Sequence, residues 1–174
     1  EGFASHHYAS YKNLQKGRNV PMKERKILYT VSAAETAKPF TIDGDLSDWD
    51  GTENLWTVEK ADHAVYGKGA WKGKGDLSFQ TMVRWDPGAF YLAVLVTDDK
   101  VVQAKSGKDL WEGDHIELWL DMDLEGDYNE SVNSDDDFQF GLSHGNFATL
   151  APEAYLWTPP LPAERLKDVS VAAK

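Results

Sequence analysis

An all-β sandwich is the fold this chain predicts, and three observations predict it. Short stretches alternate apolar and polar residues with a period of two, as in 116–121, where Ile116, Leu118 and Leu120 interleave with Glu117, Trp119 and Asp121. That is the period of a strand with one face on a core. Clusters of Asp, Gly, Ser and Pro punctuate these stretches about every ten residues. No segment carries the sustained 3.6-residue apolar period of an amphipathic helix. The expected architecture is an antiparallel, jelly-roll-like sandwich over residues 27–174, preceded by an irregular arm at 1–26.

The arm is polar and mixed in charge, with Gly17 and Pro21 and no apolar period, as suits a segment that lies on another surface. KILYTVSAAE, 26–35, alternates well enough for a first strand. TIDGDLSDWDG, 41–51, is a turn-forming run with Ile42, Leu46 and Trp49 as inward anchors. DLSFQTMVRWD, 76–86, sets Leu77, Phe79, Thr81, Val83 and Trp85 against Ser78, Gln80, Met82 and Arg84, and the turn DPG ends it. AFYLAVLVTDD, 89–99, is almost continuously apolar, which suits a central strand covered on both faces. The two runs read as an antiparallel hairpin. After the loop KSGKDLWEGD, 105–114, come the strand at 115–121, the acidic loop 122–136 and the alternating DFQFGLS, 137–143. EAYLWT, 153–158, reads as a further strand, PPLPAER as a stiffened connection, and DVSVAAK, 168–174, as the start of another strand.

Bulk properties narrow the function. The 174 residues suit one domain with a proper core, and no apolar run approaches the length of a membrane span. A formal charge of -11 argues against nucleic acid, whose binding requires clustered Lys and Arg. The absence of cysteine removes disulfides, thiolate metal sites and cysteine nucleophiles. The polar start shows no secretory leader, as in a chain already processed, and the expected location is extracellular or periplasmic. Acidic residues bunch at 43–50, 121–127 and 135–137, which is either a set of solvated loops or a hard-cation site.

If 115–121 and 138–143 are neighbouring strands, their aliphatic and Phe residues share the core. Glu117, Trp119, Gln139, Gly141 and Arg84 then gather on the opposite face, with Trp111 on the loop that enters the strand. An indole surface beside a few hydrogen-bonding groups matches a pyranose, whose C–H face packs on an aromatic ring while its hydroxyls need polar partners. A Trp beside a Glu on a strand is also an ordinary packing arrangement, and both readings stand on periodicity alone.

Four segments in order, TIDGDLSDWDG, VRWDPGAFYLAVLVTDD, LWEGDHIELWLD and DDDFQFGLS, resemble the family 9 carbohydrate-binding modules over roughly residues 40–143. The resemblance implies a β-sandwich. It places Trp111 as one wall of a two-Trp clamp on a terminal sugar, with Glu117 and Gln139 at the sugar; Trp119 and Arg84 join the candidate site by strand periodicity alone. It also implies structural calcium, for which Asp121, Asp123, Asp127, Asp135, Asp136 and Asp137 are candidate ligands by composition. Two features depart from the pattern. Sugar-binding members carry Arg two residues after that Gln, where this chain has Gly141. The second clamp Trp comes from the family's last strands, which would lie beyond Lys174.

Three rival functions follow. The same fold serves haem-binding redox subunits like the ethylbenzene dehydrogenase gamma subunit, in which haem b sits between Met and Lys; only Met22, Met82 and Met122 are offered here, Met82 beside Arg84. His6 and His7 in the arm, if extended, point to opposite sides and suit a solvated segment. An enzyme is disfavoured: Glu112, Asp114 and Glu117 supply carboxylates but no opposed pair, and no nucleophile, zinc or phosphate-loop pattern occurs. The third is a purely structural module that docks onto other subunits or domains through its arm. The expected role is a non-catalytic, calcium-stabilised carbohydrate-binding or attachment module of a larger protein.

Overall fold

A computed structural model describes residues 33–49, 56–64, 67–123, 133–159 and 163–174. The arm at 1–26, with its two histidines, most of the 26–35 run and Asp127 lie outside the described residues. The described part is all-β: seven strands in two sheets, joined with three short 3-10 helices and no α-helix. None of the described helices is long and apolar enough to cross a membrane. By its internal contacts the chain divides into two compact units, Lys26–Val101 and Val102–Lys174, each with one sheet.

In the first unit, β1 (Ala34–Glu35), β2 (Trp56–Val58), β3 (Leu77–Asp86) and β4 (Ala89–Asp98) form one sheet. The hairpin expected from 76–99 is present, with β3 and β4 in register from Leu77 opposite Asp98 to Asp86 opposite Ala89. Its turn is held by Asp86, whose Oδ1 accepts from the amides of Gly88 and Ala89 at 2.6 and 2.9 Å. Asp86 Oδ2 accepts the Tyr91 hydroxyl at 2.7 Å. Donation from Tyr91, and then from Gly88, holds the Asp86 carboxyl below the usual carboxylate range.

The centre of this sheet differs from the expectation. β3, not the more apolar β4, is the inner strand: β2 pairs antiparallel with it at Phe79–Thr81 and β1 pairs parallel at Arg84–Trp85. Among the described residues β4 pairs with β3 alone, and Phe90, Leu95 and Val96 are exposed. An apolar run reports a preference for burial, whereas position in a sheet is decided by which edges find partners. The anchors also divide. Trp49 stacks on Phe40 with ring centroids 4.3 Å apart, and Phe40 meets Tyr91 edge-on at 5.2 Å. Ile42, expected to point inward, is exposed. Buried Tyr91 and Ala93 face Arg84 and Met82 in register, so the sheltered side of this hairpin is the one that carries Arg84.

In the second unit, β5 (Ile116–Asp121), β6 (Asp137–Ser143) and β7 (Glu153–Thr158) form an antiparallel sheet in the order β5-β6-β7. Ile116, Leu118 and Leu120 stand opposite Leu142, Phe140 and Phe138, which gives one continuous apolar face. Leu156 and Ala154 of β7 extend it opposite Phe140 and Leu142. The β6–β7 connection needs Gly145: its φ is 71°, and a Cβ there would lie 2.1 Å from the Leu150 carbonyl oxygen. The strand expected in 168–174 does not form; residues 169–174 are irregular beyond a 3-10 helix at Ala163–Asp168.

Candidate functional site

Strand periodicity sends Glu117, Trp119, Gln139 and Gly141 to the face opposite the apolar one, and the register joins them in rows. Glu117 stands opposite Gly141, which stands opposite Tyr155; Trp119 stands opposite Gln139. The Glu117 carboxylate is the hub. Its Oε1 accepts from Trp119 Nε1 at 2.8 Å and, across the strands, from Gln139 Nε2 at 2.5 Å. Charge-assisted bonds of this kind are the stronger ones and fix the rotamers of all three side chains. The Glu117 side chain is only 10% exposed.

His115, at the entry to β5, is 3% exposed in its side chain. Its Nδ1 lies 2.8 Å from the Gly113 carbonyl oxygen and acts as the donor there. Its buried Nε2 has no hydrogen-bond partner among the described residues and lies 3.8 Å from Glu117 Oε2. The ring meets Trp157 of β7 edge-on at 6.1 Å, and Trp157 in turn lies 5.8 Å from Tyr155. Trp157 is a residue of this face that sequence reading misses. Its alternation with Tyr155 along 153–158 is the available signal, but the strand's register with β6, which gives that signal its meaning, is a tertiary fact.

The loop before β5 contains a 3-10 helix, Gly107–Glu112, that carries Trp111. Trp111 is 51% exposed, while its neighbour Leu110 is fully buried. The loop is closed by a clip at its ends. The Asp114 carboxylate accepts from the Val102 amide, and the Asp114 amide donates to the Val102 carbonyl at 2.8 Å. Gln103, 5% exposed, donates to the carbonyls of Leu110 and Asp114 at 3.1 and 2.9 Å. Gly113 is required there, because a Cβ would lie 2.5 Å from Gln103 Oε1 and 2.7 Å from the Val102 carbonyl oxygen. Glu112 pairs with Lys105 at 2.9 Å. The carboxylates of Glu112 and Asp114 therefore serve the loop.

Arg84 belongs to β3 of the other sheet, where it is 8% exposed and Nη1 donates to the Val83 carbonyl at 3.0 Å. It is not a neighbour of Glu117 and Gln139 within their sheet. Of the acidic candidates, Asp121 and Asp137 are register partners at one end of β5 and β6. Asp137 is 2% exposed and accepts the Ser134 amide at 2.9 Å. Asp136 Oδ1 accepts the Ser134 hydroxyl at 2.5 Å, which holds that carboxyl below its ordinary value. Its Oδ2 is buried without a hydrogen-bond partner among the described residues. Asp121 accepts the Asp123 amide at 3.1 Å, and Asp135 is exposed. Among the described residues no group of three or more His, Asp or Glu is placed to hold a metal.

Comparison with curated proteins and with solved structures gave no significant match. The profile of the family described as "carbohydrate family 9 binding domain-like" matches residues 42–165, most of the chain. That span contains both hairpin strands of the first sheet, the Trp111 helix, the Glu117 hub and Trp157. The chain belongs to the carbohydrate family 9 binding domain-like family.

Proposed function

We propose that this chain is a non-catalytic carbohydrate-binding module of an extracellular or periplasmic protein. The family membership over residues 42–165 carries the reading. Supporting it, an exposed indole, Trp111, is mounted close in sequence to a strand face on which Glu117, Gln139 and Trp119 are already hydrogen-bonded to one another. A sugar would stack on Trp111 and exchange hydroxyl hydrogen bonds with Gln139 and the Glu117 carboxylate. The non-catalytic reading is supported by the engagement of the nearby carboxylates in loop and hub structure.

Titration calorimetry with glucose, cellobiose and xylobiose tests the ligand. Unaltered protein is expected to give heat with at least one of them. Trp111→Ala is expected to abolish that heat without changing the circular dichroism spectrum. Absence of heat with all three would leave a structural docking module, in which the closed Glu117 hub is simply a buried network.

Calcium belongs to the same proposal. Asp136 Oδ2, buried without a hydrogen-bond partner among the described residues, is the supporting observation, since such a carboxylate oxygen suits a hard cation. Among the described residues no group of three or more acidic or His side chains is placed to hold it, and the candidate Asp127 lies outside the described residues. A bound ion would hold Asp136 against the adjoining ends of β5 and β6. Chelation is then expected to lower the melting temperature, and added calcium to restore it; a melting curve indifferent to both would remove calcium from the proposal.

A further inference from the structure

Gly141 has no room for a side chain. A Cβ built there would lie 2.4 and 2.6 Å from the six-membered ring of Trp157 and 2.8 Å from Leu110 Cδ1. One edge of the Trp157 indole is thus seated on bare β6 backbone. Its other edge is tied elsewhere: Nε1 donates to the Lys108 carbonyl at 3.0 Å. Lys108 and Leu110 both belong to the 3-10 helix that carries Trp111. A single side chain of β7 therefore grips β6 with its ring and the helix with its N–H. The helix has one more tie to β7, from the Gly107 amide to both Glu153 carboxylate oxygens at 3.2 Å. Six residues of 3-10 helix have little stability of their own, so these tertiary contacts decide where the segment lies.

We propose that Trp157, seated on Gly141, is a positioning residue that latches the Gly107–Glu112 helix onto the second sheet and so sets the place of Trp111, which that helix carries. Trp157 acts through Trp111 and need not touch a ligand. The effect on sugar affinity rests on the carbohydrate reading; the latch itself does not.

The test uses Trp157→Phe, Gly141→Ala and their combination, with amide hydrogen exchange and calorimetry against cellobiose as readouts. Trp157→Phe keeps a ring but removes the indole donor and the ring edge that fills the space over Gly141. Exchange of amides 107–113 is expected to quicken about tenfold in each single variant, while β5 and β6 amides keep their protection. Sugar affinity is expected to fall about tenfold through lost preorganisation of Trp111. The smaller ring of the Trp157→Phe variant leaves space for a methyl group at position 141. Adding Gly141→Ala to it is therefore expected to change little, the mark of two residues acting through one contact. Unchanged exchange at 107–113, or fully additive effects, would overturn the latch. Faster exchange with undiminished affinity would overturn its role in positioning Trp111. If unaltered protein binds no sugar, the carbohydrate reading falls while exchange and coupling still decide the latch. Should Gly141→Ala fail to fold alone, the combined variant is expected to fold, and its failure to do so would count against the shared contact.

Discussion

The two sheets start from the same kind of sequence and put it to different use. β3 and β5 both alternate, with Ser78, Gln80 and Arg84 on one side of β3 and Glu117, Trp119 and Asp121 on one side of β5. In the first sheet these residues make simple contacts, such as Gln80 Nε2 to Thr57 Oγ1 at 3.4 Å, near the limit of a hydrogen bond. In the second, Glu117 accepts two side-chain bonds while almost wholly buried. The difference comes from a roof. The 107–112 helix and Trp157 lie over the row of Glu117 and Gly141, and a sheltered carboxylate must be satisfied by neighbours where a part-buried amide still reaches water. The alternating polar side of β5 and β6 is a solvent surface until that segment covers it. It then becomes a network whose members depend on one another.

That contrast can be broken by substitution. The largest effect is expected for Glu117→Leu, which leaves the Trp119 and Gln139 donors without their acceptor; about 2–4 kcal/mol of stability should be lost in urea unfolding. The matched change in the first sheet, Gln80→Leu, should cost under about 1 kcal/mol, since one long hydrogen bond at a part-buried site is removed. Equal losses would mean that the roof does not change the energetics of the face beneath it.

The smallest effect concerns the turn of the first sheet. The Asp86 carboxyl is held below its ordinary value by Tyr91 and Gly88. A depressed folded value makes the contribution fully present above the ordinary carboxylate range and lost as pH falls through the lowered one. Asp86→Asn should therefore flatten the acid limb of the stability curve and leave its slope at neutral pH unchanged. An acid limb identical to that of the unaltered chain would deny the carboxylate this role.

Much of the second sheet was legible in the chain. Ile116–Asp121 and Asp137–Ser143 follow their alternation, and that periodicity puts Glu117 and Gln139 on the same side of neighbouring strands. Less of the first sheet was. The apolar run at 89–99 suggests an inner strand, but β2, a three-residue strand at Trp56–Val58, and β1 pair with β3 instead. Short strands carry too few alternations to announce themselves. The irregular 169–174 shows the reverse error, alternation that forms no strand. Periodicity groups Arg84 with Glu117 because it assigns a face to a residue and says nothing of which sheet the face belongs to.

By itself, the sequence determined the all-β class, the hairpin with its Asp-Pro-Gly turn, and the side of β5 and β6 on which an acid, an amide and an indole stand together. These follow from a two-residue period and from turn chemistry, which are local. Tertiary structure decided that Gly141 is bare because Trp157 occupies its space, that Leu110 is buried where Trp111 is not, and that Glu117 is sheltered. Those depend on strand register and on the path of the 107–112 segment, and they arise only when residues remote in the chain compete for the same volume.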